Sequence, residues 1–132
     1  MRDRIEQWLA PFDLDSVLHG HVVEVVLCLP QGARDDLMDD WAFVLCDYEP
    51  SAAGANIPVK LGGRGQPGRS VVLKRTLRNK SDRFVRWVIA HELAHAVLRN
   101  KGRADDADPE HAANALAAEW GFPCPVPMRY PA

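Results

Sequence analysis

The sequence predicts an α+β fold, a small mixed or antiparallel sheet packed beside a core of two helices. Three observations predict it. Short valine-rich runs bounded by Gly and Pro occupy the first part of the chain, Gly- and Pro-rich turns separate them, and two long stretches with helical spacing follow residue 80. At 132 residues the chain is most simply one domain, 1–132, large enough to bury a core.

Arg4 to Leu9 has the spacing of a short amphipathic helix that ends before Pro11. His21 to Leu29 is rich in valine and lies between Gly20 and Pro30, so it is expected to be a buried strand, with His19-Gly20-His21 as its entry. Ala33 to Met38 is expected to be a short helix, and Trp41 to Tyr48 a second strand. Ile57 to Leu61 is a third candidate strand between two turn-rich segments. Ser70 to Leu77, with Val71, Val72 and Leu73 at its centre, is the fourth.

Ser81 is a good N-cap and Asp82 puts a negative charge in the first turn of the next helix. That helix is expected to reach Arg99, and Asn100-Lys101-Gly102 ends it. Phe84, Val88, His91, His95 and Leu98 form one stripe at helical spacing; Trp87, Ala90, Ala94 and Val97 form another. A helix apolar nearly all round is a buried helix. After the acidic segment Asp105 to Asp108, a last helix opens with Pro109 and runs to Trp120, where Gly121 stops it. The proline-rich tail, 124–132, is expected to be irregular.

Sixteen Lys+Arg against eighteen Asp+Glu leave a net charge of −2, which argues against a nucleic-acid binder. The charges are segregated, however. Lys60 to Arg86 holds nine basic residues and one acid, whereas Asp35 to Glu49 holds six acids and no base. Two solvated faces of opposite sign are expected, or a basic rim that steers an acidic segment. Membrane partners are not expected, because the sequence has no long apolar run and no secretory signal behind Met1. Three cysteines without scaffold spacing fit reduced thiols in a cytoplasm.

His91-Glu92-Leu93-Ala94-His95 is the segment that bears on chemistry. On a helix, residues i and i+4 share a face, so both imidazoles can reach one ion. Zinc in a hydrolase takes three protein ligands and leaves a position for water. His91 and His95 would be two ligands, and Glu92 the base that takes a proton from the water and delivers it to the leaving amine. The third ligand should lie on a later element, with Glu110, His111, Glu119, Asp105, Asp106 and Asp108 as candidates. Glu110 and Glu119 are nine residues apart, which at about 100° per residue puts them on opposite faces of a helix. Asn114 shares the face of Glu110 and could hold a ligating histidine by hydrogen bonding.

Two stretches resemble the ImmA/IrrE family of zinc metallopeptidases. One is Arg83-Phe84 leading through Ala90 into the His91–His95 motif. The other is Glu110-His111-Ala112-Ala113-Asn114-Ala115-Leu116-Ala117-Ala118-Glu119, with Pro123 after it. The resemblance spans roughly residues 68 to 123. It implies a zincin-like two-helix core, one zinc ion per chain and Glu110 as the third ligand. It also implies that a protein substrate, such as a regulatory or repressor protein, lies as an added strand beside Ser70 to Leu77. Val72, Lys74 and Arg75 would then line the substrate edge, with Arg69 and Arg78 near the cleft. A longer His-rich motif of the metzincin kind is absent, since Leu98 and Lys101 stand where Gly and His would be needed. The alternative is a catalytically silent zincin-fold module that acts by protein–protein contact, for which Glu92 would serve no purpose.

Overall fold

The computed structural model describes residues 1–49, 69–99 and 109–125. They form five α-helices and a two-stranded sheet in the order α1 (Arg2–Leu9), α2 (Ser16–Cys28), α3 (Gln31–Met38), β1 (Val44–Tyr48), β2 (Ser70–Lys74), α4 (Asp82–Leu98) and α5 (Pro109–Glu119). The mixed helix and strand content agrees with the sequence. The candidate strand Ile57 to Leu61, the Asp105 to Asp108 segment and the tail beyond Pro125 lie outside the described residues.

The valine-rich run expected to be a strand is instead most of α2. The Asp15 carboxylate caps this helix by accepting from the backbone N–H of Val17 and Leu18. Leu18, Val22, Val25 and Leu29 are buried, and so are His21 and Val26. That is an i, i+4, i+7 stripe with a second row beside it. Burial on two sides removes the polar gaps that mark a surface helix, and packing overrides the β preference of valine. The core forms where α2 meets α1 and α4, and it includes Ile5, Leu9, Val85, Ile89 and Leu93. Trp8, Phe12 and Phe43 close one end of it, with ring centroids 5.5–6.2 Å apart.

The two strands are parallel, not antiparallel, in the register Val44↔Ser70 through Tyr48↔Lys74. Parallel neighbours need a long crossover, and the connection from 49 to 69 is long enough to be one. β1 starts only at Val44, because Asp40 organises a turn before it. Its carboxylate accepts from the Ala42 N–H at 2.9 Å and its carbonyl from the Phe43 N–H at 3.1 Å, which leaves Trp41 93% exposed. β2 ends at Lys74, opposite the last residue of β1, and Arg75–Asn79 turns into a 3₁₀ helix.

The segregated charges are not two separate solvated faces, because the acidic and basic runs meet. Arg69 is buried and donates to the Asp36 and Asp40 carboxylates at 2.8 and 2.9 Å, and to the Asp36 and Ala96 carbonyls at 2.9 and 3.0 Å. Ala96 lies in the last turn of α4, where carbonyls lack intrahelical partners. One guanidinium therefore ties α3 and the Asp40 turn to the end of α4. The Asp47 side chain has no exposed surface; it accepts from the Asp15 N–H at 2.6 Å and from Arg75 at 2.9 and 3.1 Å.

Candidate metal centre

α4 begins where its sequence says it should. The Ser81 hydroxyl accepts from the Phe84 N–H, and Asp82 stands in the first turn. It ends at Arg99, whose φ of 52° is the left-handed conformation that stops a helix. α5 opens with Pro109 and closes in a Schellman motif. Gly121, at φ 101°, donates to the Ala118 carbonyl, and Phe122 donates to that of Ala117. Ala113 and Ala117 of α5 are fully buried, and α5 makes its main contact with α4. Small side chains let the two backbones come close, so that α5 presents Glu110 to the middle of α4.

His91 and His95, one turn apart on α4, are both buried, with His95 7% exposed. Their Nε2 atoms are 3.2 Å apart. Glu110 places Oε1 2.9 Å from the His91 Nε2 and Oε2 3.0 Å from the His95 Nε2. Two imidazoles and one carboxylate thus converge on one point, and they are the group of donors that could hold a metal ion among the described residues. The spacing fits: donors about 2.1 Å from a shared divalent ion lie about 3.0–3.4 Å from one another. Histidine nitrogens with one carboxylate oxygen suit a first-row transition ion better than magnesium or calcium. Glu110 keeps 43% of its side chain exposed, so the cluster opens to solvent on that side.

Asn114 stands one turn after Glu110, and its Oδ1 is 3.0 Å from the His91 Nδ1. The Trp87 indole N–H also donates to that oxygen, at 3.2 Å. Sequence reasoning found Asn114 but missed Trp87, although Trp87 is one turn before His91 and therefore on its face of the helix. Glu92, beside His91, is half-buried in a run whose other members are buried.

The remaining candidates stand apart. His111 and Glu119 on α5 are exposed, while Asp105, Asp106 and Asp108 lie outside the described residues. On the proposed substrate edge, Val72 is half-buried and Lys74 exposed. Arg75 is committed to Asp47, whose hydrogen bond and charge raise its already high pKa. Arg69 is locked in its own pairs, and Arg78 donates to Asp15 at 2.8 Å. Lys74 is thus the cation of this edge without an acidic partner among the described residues. Cys46 is a buried residue of β1, where burial, with Asp47 beside it, pushes its thiol pKa up.

Comparison with protein-family models, with curated proteins and with solved structures finds no match for this chain.

Proposed function

We propose that the chain is a zinc-dependent peptidase of the ImmA/IrrE type that hydrolyses a peptide bond in a protein substrate. The observation that carries this reading is the convergence of His91, His95 and Glu110 with Glu92 next in sequence to the first ligand. A site that only held a metal for structure would have no use for that carboxylate. Zinc is the preferred ion because two histidines and a glutamate form a set of three protein ligands that leaves a position open, as hydrolytic zinc sites require. When bound there, zinc supplies a Lewis acid for the scissile carbonyl and brings the pKa of a water to about 7.

Each protein group then has one task. His91, His95 and Glu110 hold the ion. Asn114 holds the His91 ring in place through Nδ1. Glu92 takes a proton from the attacking water onto its carboxylate and passes it to the departing amine nitrogen. An extended substrate lying along Val72 and Lys74 would add a strand beside β2. Cytoplasmic regulatory proteins, repressors included, are the proposed substrate class.

The test compares wild type with Glu92→Gln, both loaded with zinc, on protein extracts of the source cell. Wild type should cleave a discrete set of proteins and Glu92→Gln should be about 10²–10⁴-fold slower with its zinc retained. Equal rates would remove the mechanism. Discrete capture without cleavage by either form would favour the silent binding module.

A further inference from the structure

Arg69, Arg75 and Arg78 of the basic run are each paired with an aspartate. Lys80 and Arg83 differ from them. Both are exposed, and neither has a carboxylate partner among the described residues. Two clefts meet at Arg83. One, of about 460 Å³, is lined by Lys80, Ser81, Arg83, Phe84 and Pro125. The other, of about 330 Å³, is lined by Asp82, Arg83, Arg86 and the Gly121, Phe122, Pro123 segment that follows α5. Arg86 is held from behind by α2, where its Nε–H donates to the His21 Nδ1 at 3.1 Å. Among the described residues, three cations and one carboxylate, that of Asp82, therefore line the pair of clefts, between apolar walls of Phe and Pro.

α4 links these clefts to the metal centre. Ring contacts run from Phe84 to Trp87, from Trp87 to His91 and from His91 to His95, with centroids 5.7, 5.5 and 4.7 Å apart. Beside that row stand Phe84, Val88 and Glu92, each half-buried, whereas Val85, Trp87, Ile89, His91 and Leu93 are buried. Residues four apart lie one above the other on a helix. The three therefore mark a line along which α4 stays accessible, from the proposed base Glu92 to Phe84 in the wall of the larger cleft. That line is about 12 Å long at about 1.5 Å per residue. An extended peptide crosses it in three or four residues, at about 3.3 Å each.

We infer that the substrate groove of the metal centre ends at Lys80 and Arg83, where it takes an acidic side chain of the substrate three or four residues from the scissile bond. The inference rests on the peptidase reading of that centre. A carboxylate is the group that fits, because exposed cations without a partner attract it and the apolar walls strengthen that attraction. A basic side chain would meet like charges there and be rejected.

Two measurements test it. The first follows backbone amide shifts of the Glu92→Gln protein, with zinc present, as an alanine-based peptide carrying two adjacent glutamates is added. The same peptide with glutamines is the comparison. The glutamate peptide should shift the amides of residues 80–86 and bind about fivefold more tightly. Arg83→Glu should abolish the preference. Arg2→Glu, which changes the net charge equally on α1, should keep it. Equal binding of the two peptides, or the same loss in both variants, would overturn the inference.

The second measurement sequences the products when wild type with zinc digests a random peptide library. Asp and Glu should be enriched three or four residues from the cut bond on one side, and Arg83→Glu should exchange them for Lys and Arg. Cleavage without that enrichment would overturn the inference. Binding of the glutamate peptide at residues 80–86 with no cleavage of any library member would instead overturn the peptidase reading, and the basic clefts would stand as a site for acidic segments.

Discussion

The Nε2 atoms of His91 and His95 lie 3.2 Å apart, and one oxygen of Glu110 reaches each of them. Three donors with this spacing do not arise from the α4 sequence alone. They need α5 to lie close against α4, which the buried Ala113 and Ala117 allow. The geometry of this candidate centre therefore depends on helix packing as well as on its own three side chains.

Overpacking that contact should damage both. Ala117→Leu adds three carbons where no exposed surface remains. It should cost about 1–3 kcal/mol of stability and weaken zinc binding together with it, because α5 carries Glu110. Urea denaturation and zinc titration of the same variant provide the check. Loss of stability with zinc affinity fully retained would show that Glu110 is placed independently of this contact.

Arg69 joins α3, the Asp40 turn and the last turn of α4 through a buried guanidinium. Arg69→Met takes the cation from Asp40, leaves Asp36 with Arg99 alone and the Ala96 carbonyl without this donor. A destabilisation of about 3 kcal/mol is expected, measured by urea denaturation at neutral pH. A cost below about 0.5 kcal/mol would place the pair among ordinary surface ion pairs.

Asp36 gives the acid limb of the stability profile. Burial alone pushes its carboxyl up, but the hydrogen bond and charge of Arg69, helped by Arg99, outweigh it and hold the pKa below the usual aspartate value. A group lowered in the folded state stabilises above the unfolded value of about 3.9 and loses that contribution as pH falls through the folded value. Wild type should therefore lose melting temperature steeply below about pH 4. Asp36→Asn should start lower at neutral pH and fall less steeply across the same acid window. Parallel curves would show that Asp36 contributes nothing to this limb.

The C-terminal half was largely legible in the sequence, and the reasons are local. Ser81, Pro109 and Gly121 mark helix ends by backbone chemistry that acts within a few residues. The His91–His95 spacing is itself a helical distance, and Glu110 with Asn114 shares a face by the same arithmetic. The N-terminal half was less so. α2 hid because a helix buried on two sides has few polar gaps, yet the Asp15 cap and the Leu18, Val22, Val25, Leu29 stripe were there to find. The parallel pairing of β1 with β2 and the ion pairs between Asp36, Asp40, Asp47 and the arginines depend on residues far apart in the chain. Composition showed the charge runs but not that they face each other.

Zinc titration into metal-free protein decides the centre itself. Wild type should take up one zinc per chain; His91→Ala, His95→Ala and Glu110→Ala should each lose at least about 100-fold in affinity, and Glu119→Ala, exposed on α5, should match wild type. If Glu110→Ala binds zinc as tightly as wild type, or Glu119→Ala loses it, the three-donor centre is wrong.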